Sequence, residues 1–123
     1  MNKANDLFKL FDKYKDYYDL TDIIKEINYI LSRNDINNQE FVYKIQEYRS
    51  KYPIEMKVLD VRDRMIDFMN IQRVRVSNKE LLINTLVSIA GVKILEKIGK
   101  EYKPTDIKDY DYIIDTINDD RNK

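Results

Sequence analysis

The stretch LLINTLVSIAGVKIL, residues 81–95, decides the fold class. Leu81, Leu82, Ile83, Leu86, Val87, Ile89, Ala90, Val92, Ile94 and Leu95 cover nearly the whole circumference of a helix. A helix that is apolar all round has to be enclosed by other elements. Its interior polar residues, Asn84, Thr85 and Ser88, are small and uncharged. Gly91 leaves room for a neighbouring helix to approach closely, at a cost of about 1 kcal/mol in helix propensity relative to Ala. Upstream, Ser77-Asn78-Lys79-Glu80 has the spacing of a capping box. Downstream, Gly99 suits a C-cap. These limits predict one hydrophobic helix over about 78–98, with every side of 81–95 covered.

The rest of the chain supplies the cover. Leu7, Phe11, Tyr14 and Tyr18 form one helical stripe over 5–18, and Asp19 or Thr21 is the expected start of the next helix. Leu20, Ile23, Ile24, Ile27, Ile30 and Leu31 follow at spacings of three and four, up to a stop near Ser32-Arg33-Asn34. Asn37, with Glu40 three residues on, opens another helix whose stripe is Phe41, Ile45, Tyr48 and Tyr52. Pro53 closes that helix and suits the first position of a succeeding one. Val58, Val61, Met65, Phe68 and Met69 again have helical spacing, and Ile71 to Val76 reads as an extended connection. A last helix carries Ile107, Tyr110, Ile113, Ile114 and Ile117 inward. Its C-terminal end, with Asp119 and Asp120 against the helix dipole, is expected to fray. The pattern predicts an all-α fold, a central hydrophobic helix wrapped by about five amphipathic ones. At 123 residues it reads as one domain, 1–123, with 1–18 as an N-terminal helix or extension.

Composition narrows the function. Lys plus Arg and Asp plus Glu stand at 22 each, so no bulk charge draws the chain to nucleic acid or an anionic membrane. Cysteine and histidine are both absent. That removes the thiolate nucleophile, the disulfide, the commonest general base and the commonest transition-metal ligand. We therefore expect a protein without catalytic residues, cofactor or metal. Asp60, Asp63 and Asp67 share a helix face beside Arg62 and Arg64, which reads as a salt-bridged surface. Asp109, Asp111 and Asp115 lack the turn glycine and terminal Glu of a calcium loop. No segment reaches the ~20 apolar residues of a membrane span. The N-terminal MNKANDLFKLFDKYK is too charged for a signal peptide and the C-terminal NDDRNK too polar for an anchor, so the expected location is the cytoplasm. Ten tyrosines and four phenylalanines exceed the needs of so small a core, and tyrosine favours interfaces.

Three stretches together resemble the poxviral Bcl-2-like proteins. DLTDIIKEINYILSRND, 19–35, is similar to that family's first core helix, with Ser32 where the family commonly has Trp. LLINTLVSIAGVKILEKIG, 81–99, resembles its buried central helix, small residues in the middle and Gly at the end. DYDYIIDTIND, 109–119, resembles the amphipathic helix that comes after it. The resemblance implies a Bcl-2-like bundle that acts by binding a host signalling or pro-apoptotic protein. Two surfaces are implied. One is a groove beside the central helix, here Phe41, Ile45, Tyr48, Met65, Phe68 and Met69. The other is a face for docking or for a homodimer, here Ile27, Tyr29, Tyr110 and Ile113.

The Asn-Trp-Gly-Arg signature of cellular relatives is missing, and Asn84-Thr85 offers no cation for the Asp of a bound death helix. The expectation is therefore an inhibitor of host innate immune signalling on the path to NF-κB, acting in the host cytoplasm. An apoptosis inhibitor that captures pro-apoptotic helices is the first rival. The second is a small DNA-binding regulator reading through Arg73, Arg75 and Lys79, although no long basic run accompanies them.

Overall fold

A computed structural model describes residues 3–57, 77–99 and 110–121. Its helices are α1 (Lys3–Lys13), α2 (Thr21–Ser32), α3 (Asn38–Lys51), α4 (Asn78–Ile98) and α5 (Tyr110–Arg121). Residues 53–57 form a further helical turn that starts at Pro53, and there is no strand among the described residues. The protein is all-α. Helix α4 is the hub: α1, α2, α3 and α5 all pack against it, and α1 also meets α2 and α5.

The helix limits follow from local chemistry. The Ser77 side chain accepts a hydrogen bond from Glu80 N–H, 3.2 Å, and Asn37 does the same for Glu40 N–H, 2.8 Å. Each satisfies one of the donors that a helix start leaves unpaired. Gly99 ends α4 with φ 85°, a left-handed conformation, and its N–H returns to Glu96 and Leu95 carbonyls. Helix α3 stops at Lys51, one residue short of the Tyr52-Pro53 bond.

The expected enclosure of 81–95 holds for only part of that length. Leu86 to Val92, Ile94 and Leu95 are buried, whereas Leu81 is 39% exposed and Asn84 is also exposed. Helix α4 begins level with the end of α2, where the Lys79 ammonium bonds the Leu31 and Arg33 carbonyls at 3.2 and 2.8 Å. Its first turns therefore lie beside a helix terminus instead of a helix flank. The Asn78 side chain adds bonds to the Ile36 carbonyl, 3.0 Å, and the Asn38 side chain, 2.9 Å. These contacts latch the α2–α3 loop to the start of α4. Lys79→Met keeps the aliphatic stem but strips the cation from the C-terminal carbonyls of α2. A loss of about 1 kcal/mol is expected in urea denaturation.

The N-terminal helix is shorter than the expected 5–18. It stops at Lys13, and the chain continues in turns to Asp19, whose φ of 57° is left-handed. The Leu20 N–H then bonds the Lys15 carbonyl across six residues, 2.7 Å, closing the turn as a Schellman motif does. Neither Asp19 nor Thr21 caps α2: Leu20 stands at that position with no side-chain bond. Leu20 is fully buried, so its burial outweighs the missing cap. A non-glycine residue in the left-handed region is strained. Asp19→Gly is expected to raise stability by about 0.5 kcal/mol, read as a higher urea midpoint.

The end of α5 is held instead of frayed. The Tyr18 hydroxyl donates to Asp120 Oδ2, 2.7 Å. The Arg121 guanidinium lies 5.0 Å from the Tyr14 ring and 4.3 Å from the Tyr17 ring. A cation in the last turn also offsets the dipole that the two aspartates oppose.

Candidate functional site

Helices α2 and α3 lie over α4 and leave a cleft of about 420 Å³ between them. Asp22, Lys25, Glu26 and Tyr29 line it from α2, at spacings of three, one and three that place them on one helix face. Glu47, Tyr48, Lys51 and Tyr52 line the other wall, and Leu86 of α4 is among the lining residues. The isoleucines of α2 (Ile23, Ile24, Ile27 and Ile30) point the other way, into the core. The amphipathic period of α2 thus sets both the core and the cleft.

Glu26 ties the two walls together. Its Oε2 accepts from the Tyr48 hydroxyl at 2.7 Å and pairs with the Lys44 ammonium at 2.8 Å. Lys44 also reaches Glu47 at 3.5 Å, and Glu47 reaches Lys51 at 3.4 Å. Burial pushes the Tyr48 hydroxyl well above the usual tyrosine range, and the Glu26 carboxylate adds to the effect. Burial also raises Tyr52, with the charges of Asp22 and Glu26 in support. On Lys44 burial acts downward, but the hydrogen bond and charge of Glu26 outweigh it and the group is raised. At ordinary pH the network is therefore a neutral phenol and an ammonium sharing one carboxylate.

The rim continues toward the α2–α3 loop. Arg33 grips Glu40 with two bonds of 2.6 and 2.9 Å and gives a third, 2.8 Å, to the Tyr29 hydroxyl. Glu40 thus gives its backbone N–H to the Asn37 cap while its carboxylate serves the ion pair. The Tyr29 ring has Lys44 at 5.1 Å and Arg33 at 5.7 Å, both in cation–π range. A second hollow of about 240 Å³ lies beyond, lined by Asn37, Gln39, Glu40, Tyr43, Lys44 and Glu47. Tyr29 and Tyr43 stand 44% and 65% exposed over this surface.

The residues expected at the two surfaces fall in several places. Phe41 and Ile45 are half-buried against the core, and Tyr48 is buried with its hydroxyl spent on Glu26. Met65, Phe68 and Met69 lie outside the described residues, as do Arg73, Arg75 and the Asp60, Asp63 and Asp67 trio. Ile27 is 1% exposed, which corrects its assignment to a docking face: it belongs to the stripe that α2 turns to the core. Tyr29 is exposed. The side chains of Tyr110 and Ile113 lie outside the described ones, although both residues belong to α5. Lys79 is occupied with the carbonyls that end α2.

Sequence reasoning missed Asp22, Lys25, Glu26, Glu47 and Lys51. The signal was present as the polar stripe opposite the isoleucines of α2, but polar stripes are the default on any solvated helix. Among the described residues no group of three acidic side chains could hold a metal ion, and no helix is long and apolar enough to cross a membrane. Comparison with protein-family models, curated proteins and solved structures finds no match to this chain.

Proposed function

We propose that this chain is a non-catalytic protein-binding module whose working surface is the α2–α3 cleft and its tyrosine-bearing rim. The observation that carries this reading is the exposure of Tyr29 and Tyr43 beside the mixed charges of Asp22, Lys25, Glu47 and Lys51. Tyrosines, apolar at one end and polar at the other, are enriched at protein interfaces, whose rims are polar. The Glu26 carboxylate of the cleft is paired with Lys44 and hydrogen-bonded by Tyr48, which suits a structural link better than chemistry.

The finer reading rests on the resemblance of 19–35, 81–99 and 109–119 to poxviral Bcl-2-like proteins. On that reading the chain has a Bcl-2-like fold and acts in the host cytoplasm, where it binds a signalling component and blocks activation of NF-κB. The hub position of α4, enclosed from Leu86 to Val92 though open at Leu81 and Asn84, supports it. Capture of pro-apoptotic helices takes second place, because Phe41 and Ile45 pack against the core and the cleft that Tyr48 lines is edged by charged side chains.

Expression in cells carrying NF-κB and interferon-factor reporters tests the proposal. Reduced activation is expected, and unchanged activation of both defeats the signalling reading. Calorimetry with a panel of pro-apoptotic peptides is expected to give no binding; micromolar affinity would promote the rival. Once a partner is in hand, Tyr29→Ala combined with Tyr43→Ala is expected to weaken it more than about tenfold, the scale of interface hot spots.

A further inference from the structure

Tyr17 lies in the turn between α1 and α2, 45% exposed, on the face of the molecule where the ends of α4 and α5 meet. The Lys97 ammonium of α4 sits 4.5 Å from its ring centroid and donates to the Tyr17 carbonyl. The Arg121 guanidinium of α5 sits 4.3 Å from the same centroid. Among the described residues no carboxylate forms an ion pair with either cation. Each contact with the neutral ring contributes modestly at an exposed site. Together they place two cations, borne on long flexible side chains of two different helices, around one phenol ring, where both can turn toward a phosphate carried on its hydroxyl.

We propose that Tyr17 is a phosphorylation site and that Lys97 and Arg121 form a built-in clamp for the phosphate. A tyrosine kinase using ATP would transfer the γ-phosphoryl group to Tyr17 Oη. The Oη–P bond forms, the bond to the β-phosphate oxygen breaks, ADP leaves and the phenolic proton is released. The dianion then lies between an ammonium and a guanidinium borne by two different helices. It fastens the α1–α2 turn to the C-terminal ends of both α4 and α5. Asp16 and Asp19 beside it in the turn and Asp120 at the end of α5 are like charges, but Asp16 and Asp19 are exposed, and Asp120 accepts from the Tyr18 hydroxyl at 2.7 Å. Two direct charge-assisted bonds outweigh solvent-screened repulsions.

The other tyrosines fit less well. Tyr18 and Tyr48 are buried donors to Asp120 and Glu26. Tyr29 also faces two cations, but it lies in the body of α2, and its hydroxyl already accepts from Arg33, whose guanidinium is paired with Glu40. Tyr43 is more exposed, yet no cation lies over its ring among the described residues. Tyr14 also has two cations at its ring, Lys13 at 5.2 Å and Arg121 at 5.0 Å, but is half-buried; among the described residues Tyr17 alone combines exposure, two cations and a position outside a helix body.

The test uses the full chain. Incubation with a broad-specificity tyrosine kinase domain and ATP, followed by peptide mass spectrometry, is expected to find phosphate at Tyr17. Tyr17→Phe, which keeps the ring contacts, loses that site. Chain carrying phosphotyrosine only at position 17 is expected to melt about 4 °C higher than the unmodified chain, and its phosphate to titrate below the usual value of about 6 in a ³¹P NMR series. Both effects are expected to shrink in Lys97→Met and in Arg121→Met. Modification of other tyrosines with none at Tyr17 overturns the proposal. So does an unchanged or lower melting temperature, or a rise that survives both cation substitutions.

Discussion

Ile89→Ala lowers the unfolding free energy by about 3 kcal/mol, while Leu81→Ala, eight residues earlier on the same helix, costs under about 1 kcal/mol. Ile89 is fully buried in the middle of α4, the helix against which α1, α2, α3 and α5 all pack. Removing its outer carbons forfeits transfer energy and leaves a cavity that the close-packed core relaxes to fill only in part. Leu81 is 39% exposed, so water already occupies much of the space that truncation would open. Against the 5–15 kcal/mol that typical domains possess, the Ile89 loss is severe. Paired urea titrations check it: the Ile89→Ala midpoint falls with the slope unchanged, and the Leu81→Ala midpoint hardly moves. Equal losses at the two positions would mean that α4 is not an asymmetrically enclosed hub.

Alkaline pH produces the second large effect. Tyr48 is raised above the ordinary tyrosine value of about 10 by burial and by its bond to Glu26. A group raised on folding contributes stability that is complete below the unfolded value and is lost as pH climbs toward the folded one. The unfolded chain releases the Tyr48 proton above pH ~10 while the folded chain retains it, so stability falls with pH. The slope from this one residue is at most about 1.4 kcal/mol per pH unit. Tyr18, raised by burial and by its bond to Asp120, acts in the same direction. Lys44, also raised, does so as well, since its pairing with Glu26 requires the proton. Denaturation curves taken from pH 8 to 11 are expected to steepen above 10. Tyr48→Phe is expected to be less stable at pH 8, yet to fall less steeply above pH 10 than the parent. An identical slope in the Phe variant would show that the hydroxyl is not buried against Glu26.

Much of this architecture is local and so was legible in the residues themselves. The limits of α4, from the Ser77 cap to the left-handed Gly99, come from side-chain and backbone preferences that act within four residues. The Asn37 cap and the Tyr52-Pro53 stop are of the same kind. Long-range choices were less legible. Asp19 and Thr21 are good capping residues by type, yet Leu20 takes the N-cap position of α2 because its side chain is needed in the core. Asp119 and Asp120 have the pattern of a fraying end, but Tyr18, more than a hundred residues away in sequence, supplies a donor that holds it. The candidate site was the least legible part. Ile27 and Tyr29 are close neighbours in sequence, and the family resemblance implied one docking face for both, but a helix turns them to different sides and only Tyr29 reaches solvent.

The sequence by itself determined that the chain is helical, where its helices begin and end at the well-capped positions, and which of them is the hub. Those properties depend on period, breakers and caps, which operate within a turn or two of backbone. Tertiary structure alone decided that Glu26 would serve Tyr48 and Lys44 together, that Lys79 would close the end of α2, and that Lys97 and Arg121 would converge on Tyr17. Each of these joins groups from separate helices, and their meeting depends on how those helices are laid against α4.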